Sequence, residues 1–199
     1  MCLLFETIKC EKGVLVNLEF HQERLSKSQK VYLGYNKTLV LKNEIVVPSY
    51  CSNGIFRCRV TYGQHIEKIE FLPYYPKEIK SLKLINDKAV NYPFKFKDRT
   101  HLNMLFAKRQ KCDDIIIVKN GCITDSSISN IVFFDGNQWW TPDTPLLPGT
   151  QRAKLLSEGK IHTRHITIND LEKFYKAGLI NAFNSLDNMP EIPVSMIFK

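Results

Sequence analysis

The chain has 199 residues, of which 44% are hydrophobic and 24% charged, and its formal net charge at pH 7 is +8. These proportions are typical of a globular protein, and the length suffices for one large domain or two small ones. The basic residues are spread along the chain, with KFKDR at 95–99 and KRQK at 108–111 as the densest groups. We therefore expect no nucleic-acid partner, whereas a small anionic substrate or a phosphate-bearing cofactor would suit the charge.

The first half of the sequence predicts antiparallel strands and helices, an α+β pattern. Two apolar runs around Glu11-Lys12-Gly13 predict a hairpin, and LEFHQERLSKSQKVYLG predicts a helix that ends before Gly34. A short helix is expected at 37–46, and a second hairpin joins GIFRCRVTYG to HIEKIEFLPYY across Gly63-Gln64. The strand SLKLIN follows. The apolar face of the first helix is expected to contain Leu18, Phe20 or His21, Leu25, Val31 and Tyr32.

A polar stretch containing Pro93 predicts a domain boundary near 86–94, with a small domain at 1–88 and a larger one at 94–199. The second half then predicts a helix in RTHLNMLFAKRQK and three strand-like runs, DIIIVKNG, GCITD and NIVFFDGNQWWTP. A loop leads into a helix at Thr150. NDLEKFYKAG predicts another helix, with Asn169 as N-cap and Gly178 just past its end. LINAFNSLDNMPEIPV predicts a strand, a polar loop and a strand.

The sequence gives no sign of a membrane span, a secretory signal, a disulfide framework or a metal site. No window approaches the roughly 20 apolar residues of a membrane span, so no membrane partner is expected. MCLLFETIKC lacks a basic segment followed by an apolar one, so we expect no secretory signal and a cytoplasmic protein. The six cysteines form no CxxC pair and have no histidine at metal-ligand spacing, so we expect neither a disulfide framework nor a metal site.

Two polar segments stand out against this background, although GxSxG, P-loop and GxGxxG motifs are missing from the sequence. DSSISN lies between the apolar runs IIIV at 115–118 and IVFF at 131–134. LLPGTQR leads into a helix whose first N–H groups favour an anion. Each segment is weak by itself, because a polar turn and a solvated helix terminus are common.

HQERL, KFKDR, GCITDSSISNI, TPDTPLLPGTQR and LINAFNSL occur in this order, and together they resemble the class IV, or fold-type IV, aminotransferases. That family includes branched-chain and D-amino acid aminotransferases and 4-amino-4-deoxychorismate lyase. The resemblance covers nearly the whole chain and is most specific at 121–152. It implies two small α/β domains of the D-amino acid aminotransferase type, with pyridoxal 5′-phosphate (PLP) between them, usually in a homodimer.

The resemblance implies five residues for the cofactor phosphate. Arg24, in H-x-x-R-L, matches the arginine that binds it. Thr150 and Gln151 match the two residues whose backbone N–H groups also bind it. Asn184, together with Ser185, matches a late loop position that adds a side-chain hydrogen bond. An arginine and a helix N-terminus suit a phosphate dianion, because both present several hydrogen-bond donors.

The resemblance also implies the reactive groups. Lys95 matches the lysine that forms the Schiff base, because Arg99 follows four residues later, and Lys97 is the alternative. Asp125 matches the acid that faces the pyridine nitrogen, although the family usually has Glu there. A carboxylate at that position favours the protonated ring, which works as the electron sink.

Three functions remain open at this stage. The first is a lyase that releases pyruvate and 4-aminobenzoate from 4-amino-4-deoxychorismate, with Lys95 removing the α-proton. The K-x-x-x-R spacing and the short segment before LFETI resemble compact lyases, and a substrate with two carboxylates suits a basic chain. The second is an aminotransferase acting on branched-chain or D-amino acids. The third is a non-catalytic basic binding module, which the presence of both Lys95 and Lys97 disfavours.

Overall fold

The computed structural model describes residues 2–199 and contains two compact units. Unit 1 consists of the described residues up to Pro76 together with Phe94–Asp98. Unit 2 consists of Lys77–Pro93 and Arg99–Lys199. The division differs from the single boundary expected at 86–94, because the strand SLKLIN pairs with strands of the second half and residues 94–98 return to the first unit.

Unit 1 is built on an antiparallel sheet with the strand order β2-β1-β3-β4. Its strands are β1 (Leu4–Glu11), β2 (Val14–Leu15), β3 (Ile55–Tyr62) and β4 (Ile66–Pro73), and its helices are α1 (Leu18–Val31) and α2 (Leu41–Glu44). Both predicted hairpins are confirmed. In the first turn, Lys12 and Gly13 have φ angles of 49° and 79°, a conformation that suits a tight two-residue hairpin turn. The short helix expected at 37–46 covers only the four residues of α2.

The buried face of α1 is more polar than the sequence predicts. Val31 is 67% exposed, whereas Gln29 is fully buried. Burial of Gln29 is possible because its amide is bonded at both ends: Nε2 donates to the carbonyl of Gly63 at 2.9 Å, and Oε1 accepts from the N–H of Leu39 at 2.7 Å. The predicted apolar face is therefore wrong at the end of the helix. The buried residues of α1 are His21, Leu25, Ser28 and Gln29.

Unit 2 contains a larger mixed sheet, which confirms the predicted α+β class. The strands follow the order β10-β9-β8-β7-β6-β5-β13, and β11 adds to β8 and pairs with β12. They are β5 (Leu82–Asn86), β6 (Asp114–Lys119), β7 (Cys122–Ser126), β8 (Asn130–Phe134), β9 (Trp139–Pro142), β10 (His162–Arg164), β11 (Lys176–Ile180), β12 (Glu191–Pro193) and β13 (Ile197–Phe198). The helices α3 (Thr100–Ala107) and α4 (Thr150–Ser157) begin where the sequence predicts. The run NIVFFDGNQWWTP divides into two strands.

The helix predicted from Asn169 to Gly178 is wrong. A short 3-10 helix covers Ile168–Lys173, and its capping box joins Thr167 to Asp170. The chain then becomes strand β11, which contains Gly178. A side chain at Gly178 would meet Met189 Cε at 2.4 Å, so the glycine serves close strand packing and does not end a helix.

The core of unit 2 is formed by strands that are buried on both faces. β6 carries a continuous apolar run, Ile115–Val118, in which every side chain is buried. Phe133 and Leu179 extend this core across β8 and β11. No helix among residues 2–199 is long and apolar enough to cross a membrane.

A buried carboxylate connects β1 to α1 in unit 1. Glu6 is fully buried; its Oε1 accepts from Arg24 Nε at 2.9 Å, and its Oε2 lies 2.5 Å from Arg24 Nη2 and 2.6 Å from His21 Nδ1. Burial favours the neutral acid, but the charge of Arg24 and the hydrogen bonds from His21 and Arg24 outweigh it and lower the pKa of Glu6 to about 2. Burial also lowers the pKa of His21. The cluster therefore holds a charged Glu6–Arg24 pair beside a neutral histidine.

We expect Glu6→Gln to lower the free energy of unfolding at pH 7 by about 3–5 kcal/mol, because it leaves the Arg24 guanidinium without its buried counter-charge. The pKa of Glu6 is lower in the folded chain than its ordinary value of 4.5, so its stabilisation is complete above pH 4.5 and is lost as the pH falls towards 2. The variant should show a shallower loss of stability over that interval. Urea unfolding at pH 7 and at several acidic pH values measures both effects.

Glu11→Gln on the same strand is the matched control, because Glu11 pairs with Lys9 at the surface. We expect it to change stability by less than about 1 kcal/mol. Equal effects of the two substitutions would contradict the importance of the buried cluster.

Candidate active site

The DSSISN segment is the turn between β7 and β8. Asp125 and Asn130 are cross-strand partners, and the N–H of Ser126 donates to the carbonyl of Ser129 at 2.8 Å. The hydroxyl of Ser126 accepts from the N–H groups of Ile128 at 3.3 Å and Ser129 at 3.0 Å. The hydroxyl of Ser126 therefore holds the turn closed and fixes the direction of the two polar side chains at its base.

Asp125 is only 6% exposed, and both of its oxygens accept hydrogen bonds. Oδ1 accepts from Asn130 Nδ2 at 2.7 Å, and Oδ2 accepts from the N–H of Leu147 at 2.9 Å. Burial raises the pKa of Asp125 to about 6, while these hydrogen bonds and the charge of Arg152 act in the opposite direction. The carboxyl group therefore ionises less readily than an exposed aspartate, and a nearby cation would favour its ionised form.

Asn130 connects this carboxylate to the loop before α4. Its Nδ2 also donates to the carbonyl of Leu147 at 2.9 Å. Its Oδ1 lies only 2.0 Å from the place that a Cβ at position 149 would occupy. Because two hydrogen bonds fix the amide, it cannot move aside, and only glycine fits at Gly149. The DSSISN and LLPG motifs are therefore one structural unit.

The first turn of α4 lies directly beyond Gly149. Thr150 and Gln151 are both 5% exposed. Gln151 Nε2 donates to Ser185 Oγ at 3.0 Å, so the structure brings together two of the residues predicted to bind a phosphate. The backbone N–H groups and the dipole of such a first turn favour an anion.

The loop that carries Asn184 and Ser185 is tied to the DSSISN turn by Asn181. The Nδ2 of Asn181 donates to Ser129 Oγ at 2.9 Å, and its Oδ1 accepts from the N–H groups of Phe183 at 2.8 Å and Asn184 at 3.2 Å. Sequence reasoning missed this residue. Its only local signal is an asparagine at the end of an apolar strand.

Two further side chains hold the same turn from other elements. Arg99, the last residue of the K-x-x-x-R spacing, donates from Nη2 to the carbonyl of Ser127 at 2.6 Å. Asp114 is 2% exposed and forms hydrogen bonds with Ser126 and Ser127. Burial raises the pKa of Asp114, because it outweighs the opposite effect of these hydrogen bonds. Asp114 was also missed, although an acid that opens a run of four buried apolar residues is an unusual pattern.

Arg152 connects the two ends of the motif TPDTPLLPGTQR, since it contacts Thr141 and Pro142. Its Nε donates to Thr141 Oγ1 at 3.2 Å, and its Nη2 donates to the carbonyl of Pro142 at 2.9 Å. Burial lowers the pKa of Arg152, and this effect outweighs the charge of Asp125, which raises it. The arginine thus anchors α4 to the end of β9 and places a positive charge on the side of Asp125.

The candidate lysines belong to unit 1, on a segment paired with the start of β1. The N–H of Phe5 donates to the carbonyl of Lys95 at 3.0 Å, and the N–H of Lys97 donates to the carbonyl of Leu3 at 2.8 Å. The backbone of this segment is therefore fixed by regular pairing on either side of the isolated bridge between Leu4 and Phe96.

The side chains of the two lysines have different surroundings. Lys95 is half-buried, and its Nζ lies 4.9 Å from the centre of the Phe5 ring. The pKa of His21 is lowered mainly by burial and also by the charge of Arg24. The charge of Lys95 makes a smaller contribution in the same direction. Lys97 is exposed. The pKa of Glu70 is lowered mainly by a hydrogen bond from Lys68, and the charge of Lys97 lowers it slightly further. Lys95 is thus the lysine whose charge acts on the buried cluster around Glu6.

Arg24, the remaining predicted residue, also belongs to unit 1. Its Nε and Nη2 are both engaged by Glu6, and its side chain is 13% exposed. The bidentate contact fixes the plane of the guanidinium, so Glu6 sets the direction in which the other edge of Arg24 points. The sequence placed His21 only as an alternative to Phe20 on the buried helix face, and neither it nor Glu6 was expected at the site, although a Glu inside the apolar strand LLFETI is a local signal.

Comparisons with known proteins identify the family. The family described as amino-transferase class IV matches residues 3–187. An uncharacterised protein of Haemophilus influenzae is 41% identical over 185 residues, which cover 92% of this chain and 98% of that protein. A crystal structure from Haemophilus somnus, provisionally named a 4-amino-4-deoxychorismate lyase, is 39% identical, covers 94% of this chain and 98% of its own, and has a TM-score of 0.88. A PLP-bound protein from Mycobacterium tuberculosis, named a hypothetical aminotransferase, is 16% identical with a TM-score of 0.77, over 96% of this chain and 80% of its own, and shares the fold.

The residues of unit 2 fit PLP. The Asn130–Gly149 contact connects two groups that suit this cofactor. The buried carboxylate of Asp125, bonded to Asn130, can stabilise a protonated pyridine ring, and the N-terminus of α4, directly after Gly149, can bind a phosphate. The chain therefore belongs to the class IV aminotransferase family and is a PLP-dependent enzyme.

Proposed function

We propose that this enzyme is a 4-amino-4-deoxychorismate lyase that releases pyruvate and 4-aminobenzoate. The observation that carries the proposal is the 39% identity to the Haemophilus somnus protein provisionally given that name, over 94% of one chain and 98% of the other. The net charge of +8 also suits a substrate with two carboxylates.

Asp125 has the role of counter-charge in this proposal. PLP, when bound, supplies an electron sink conjugated with the substrate. Asp125 Oδ1 accepts from Asn130 and Oδ2 accepts from the N–H of Leu147, and a carboxylate with four lone pairs can accept a further bond from a ring N–H. With a pKa raised by burial to about 6, the carboxyl is mostly ionised at pH 7, and an adjacent cation favours the ionised form further.

The phosphate is assigned to Arg24, the first turn of α4 and the late loop. The N–H groups of Thr150 and Gln151 and the side chains of Asn184 and Ser185 supply donors in unit 2. The hydrogen bond from Gln151 Nε2 to Ser185 Oγ holds the late loop against the first turn of α4. In unit 1, Glu6 keeps the guanidinium of Arg24 charged and oriented.

Lys95 is assigned the covalent link to the cofactor and the proton transfer. Its Nζ takes the proton from the carbon that carries the substrate amino group. The C–O bond to the enolpyruvyl group then breaks, the ring becomes aromatic, and the departing enolpyruvate takes up a proton to become pyruvate. An aminotransferase would instead return the proton elsewhere on the cofactor–substrate system and pass the amino group to a keto acid.

Incubation of the purified enzyme with 4-amino-4-deoxychorismate should yield pyruvate and 4-aminobenzoate in equal amounts, with no requirement for 2-oxoglutarate. Coupled assays of both products, with and without the keto acid, measure this. Amino transfer to 2-oxoglutarate without release of 4-aminobenzoate would contradict the lyase proposal and favour an aminotransferase. No turnover in either assay by protein that carries PLP would point to a non-catalytic module.

Lys95→Ala should abolish the absorbance band of the PLP–lysine imine and the covalent labelling that borohydride reduction produces, because the amine that forms the imine is lost. Lys97→Ala, two residues away on the same paired segment, is the control and should keep both. Peptide mapping of the reduced wild-type enzyme identifies the labelled lysine directly. A label on Lys97 would reverse the assignment while leaving the family unchanged.

Asp125→Asn should leave PLP bound but slow turnover by about 100-fold, which corresponds to roughly 3 kcal/mol in the barrier, because the ring proton loses its counter-charge. Asp114→Asn is the matched control, since Asp114 is a second buried carboxylate bonded to the same turn. We expect this control to lower stability and to keep most of the turnover per bound cofactor. Full activity of the Asp125 variant would show that the acid has another role.

A further inference from the structure

Three side chains of unit 2 outside the proposed active site form a relay at the surface. Cys122 Sγ lies 3.4 Å from His165 Nε2, and His165 Nδ1 lies 3.3 Å from Asp143 Oδ1. A thiol at one ring nitrogen and a carboxylate at the other is the arrangement that activates a nucleophilic cysteine: the imidazole can take the thiol proton, and the carboxylate stabilises the imidazolium that results.

Backbone pairing fixes this relay in place. Cys122 follows the tight turn at Asn120-Gly121 and forms an isolated antiparallel bridge with Thr167. The N–H of Ile123 donates to the carbonyl of Ile166 at 2.8 Å, directly after His165 in the chain. The N–H of Asp143 donates to the carbonyl of Arg164 at 3.0 Å, directly before it. The three side chains are therefore brought together by regular backbone contacts on both sides of the histidine.

Cys122 is one of the residues that line a pocket of about 360 Å³, a volume within the size range of small-ligand sites. The cationic residue Lys119 and the amide residues Asn91 and Asn120 are also part of its lining. Tyr92 and Leu146 supply apolar surface. This lining suits a small molecule with a carboxylate, which the ammonium and amide donors can bind.

Four of the other five cysteines lack the surroundings of Cys122, and the fifth, Cys2, is exposed, with its thiol donating to the carbonyl of Leu3. Cys10, Cys51 and Cys58 are buried, and burial raises the pKa of each thiol, for Cys58 to about 12. Burial of this kind makes a thiol unreactive. Cys112 has the same intermediate exposure as Cys122, but its thiol contacts no histidine in the part of the chain that the structure describes. It is therefore an internal standard for an exposed thiol without a relay.

We propose that Cys122 is a reactive thiol that exchanges with small acidic disulfides bound in this pocket. His165 takes the proton from Cys122 Sγ, and the thiolate attacks one sulfur of the disulfide along its S–S axis. The S–S bond of the ligand breaks as a new one forms with Cys122, so that Cys122 is oxidised and the departing sulfur is reduced. The departing thiolate takes the proton from His165 and leaves as a thiol.

Oxidised glutathione is the probe, because it is a small disulfide that carries carboxylates. After timed incubation with the purified holoenzyme, peptide mass spectrometry measures the mixed disulfide at each cysteine. We expect Cys122 to react at least about 10-fold faster than Cys112. Equal rates at the two positions would overturn the proposal. Parallel incubation with cystamine, a cationic disulfide, tests the preference for an acidic ligand.

Three variants test the parts of the site. His165→Gln should lower the rate at Cys122 to that at Cys112, and Asp143→Asn should lower it by a smaller factor. Lys119→Gln should slow the reaction with oxidised glutathione but not with cystamine. A rate that His165→Gln leaves unchanged would overturn the relay, and a rate for oxidised glutathione that Lys119→Gln leaves unchanged would overturn the acidic ligand.

The buried cysteines report whether a variant has kept its fold, since Cys10, Cys51 and Cys58 should stay unmodified in a folded chain. If His165→Gln exposes them, the decision passes to Asp143→Asn, whose side chain is 42% exposed and has room for an amide. An unchanged rate at Cys122 in that variant would then count against the relay.

Discussion

The side chain of Asn130 is the constraint on which the unit 2 site depends. Its amide donates to the Asp125 carboxylate at 2.7 Å and to the carbonyl of Leu147 at 2.9 Å, and its oxygen fills the space that a Cβ at Gly149 would need. One residue thus sets the position of the acid, the path of the loop and the beginning of α4. The asparagine and the glycine require each other, because any side chain at Gly149 would displace the amide that orients Asp125.

The two buried carboxylates show how the partner decides the charge state. Glu6 in unit 1 faces the guanidinium of Arg24, and its pKa falls to about 2 in spite of burial. Asp125 in unit 2 receives neutral donors from Asn130 and Leu147 with only a secondary contribution from the charge of Arg152, and its pKa rises to about 6 because burial dominates. Glu6 is therefore a structural anion that stays charged at neutral pH. Asp125 is not neutralised by a dominant positive charge in the protein, so its carboxylate can stabilise a bound cation.

Local signals were sufficient for much of the fold. The Lys12-Gly13 turn and the apolar alternation of β3 and β4 depend on neighbouring residues, so both hairpins were predictable. Most features that the sequence did not reveal depend on distant partners. Asn181 is 52 residues from Ser129, and β5 joins unit 2 through pairing with β6. Gly178 resembles a helix terminus in sequence, and only its place in β11, where a Cβ would meet the side chain of Met189, shows that it lies within a closely packed strand.

The shorter acid at position 125 follows from the same geometry. Asp125 and Asn130 are direct cross-strand partners, so a short side chain keeps the carboxylate beside the strand, where Asn130 and Leu147 each reach one oxygen. A glutamate would carry its carboxylate one methylene farther and could not keep both bonds with this backbone. The absence of a side chain at Gly149 lets the loop approach closely enough to hold that arrangement.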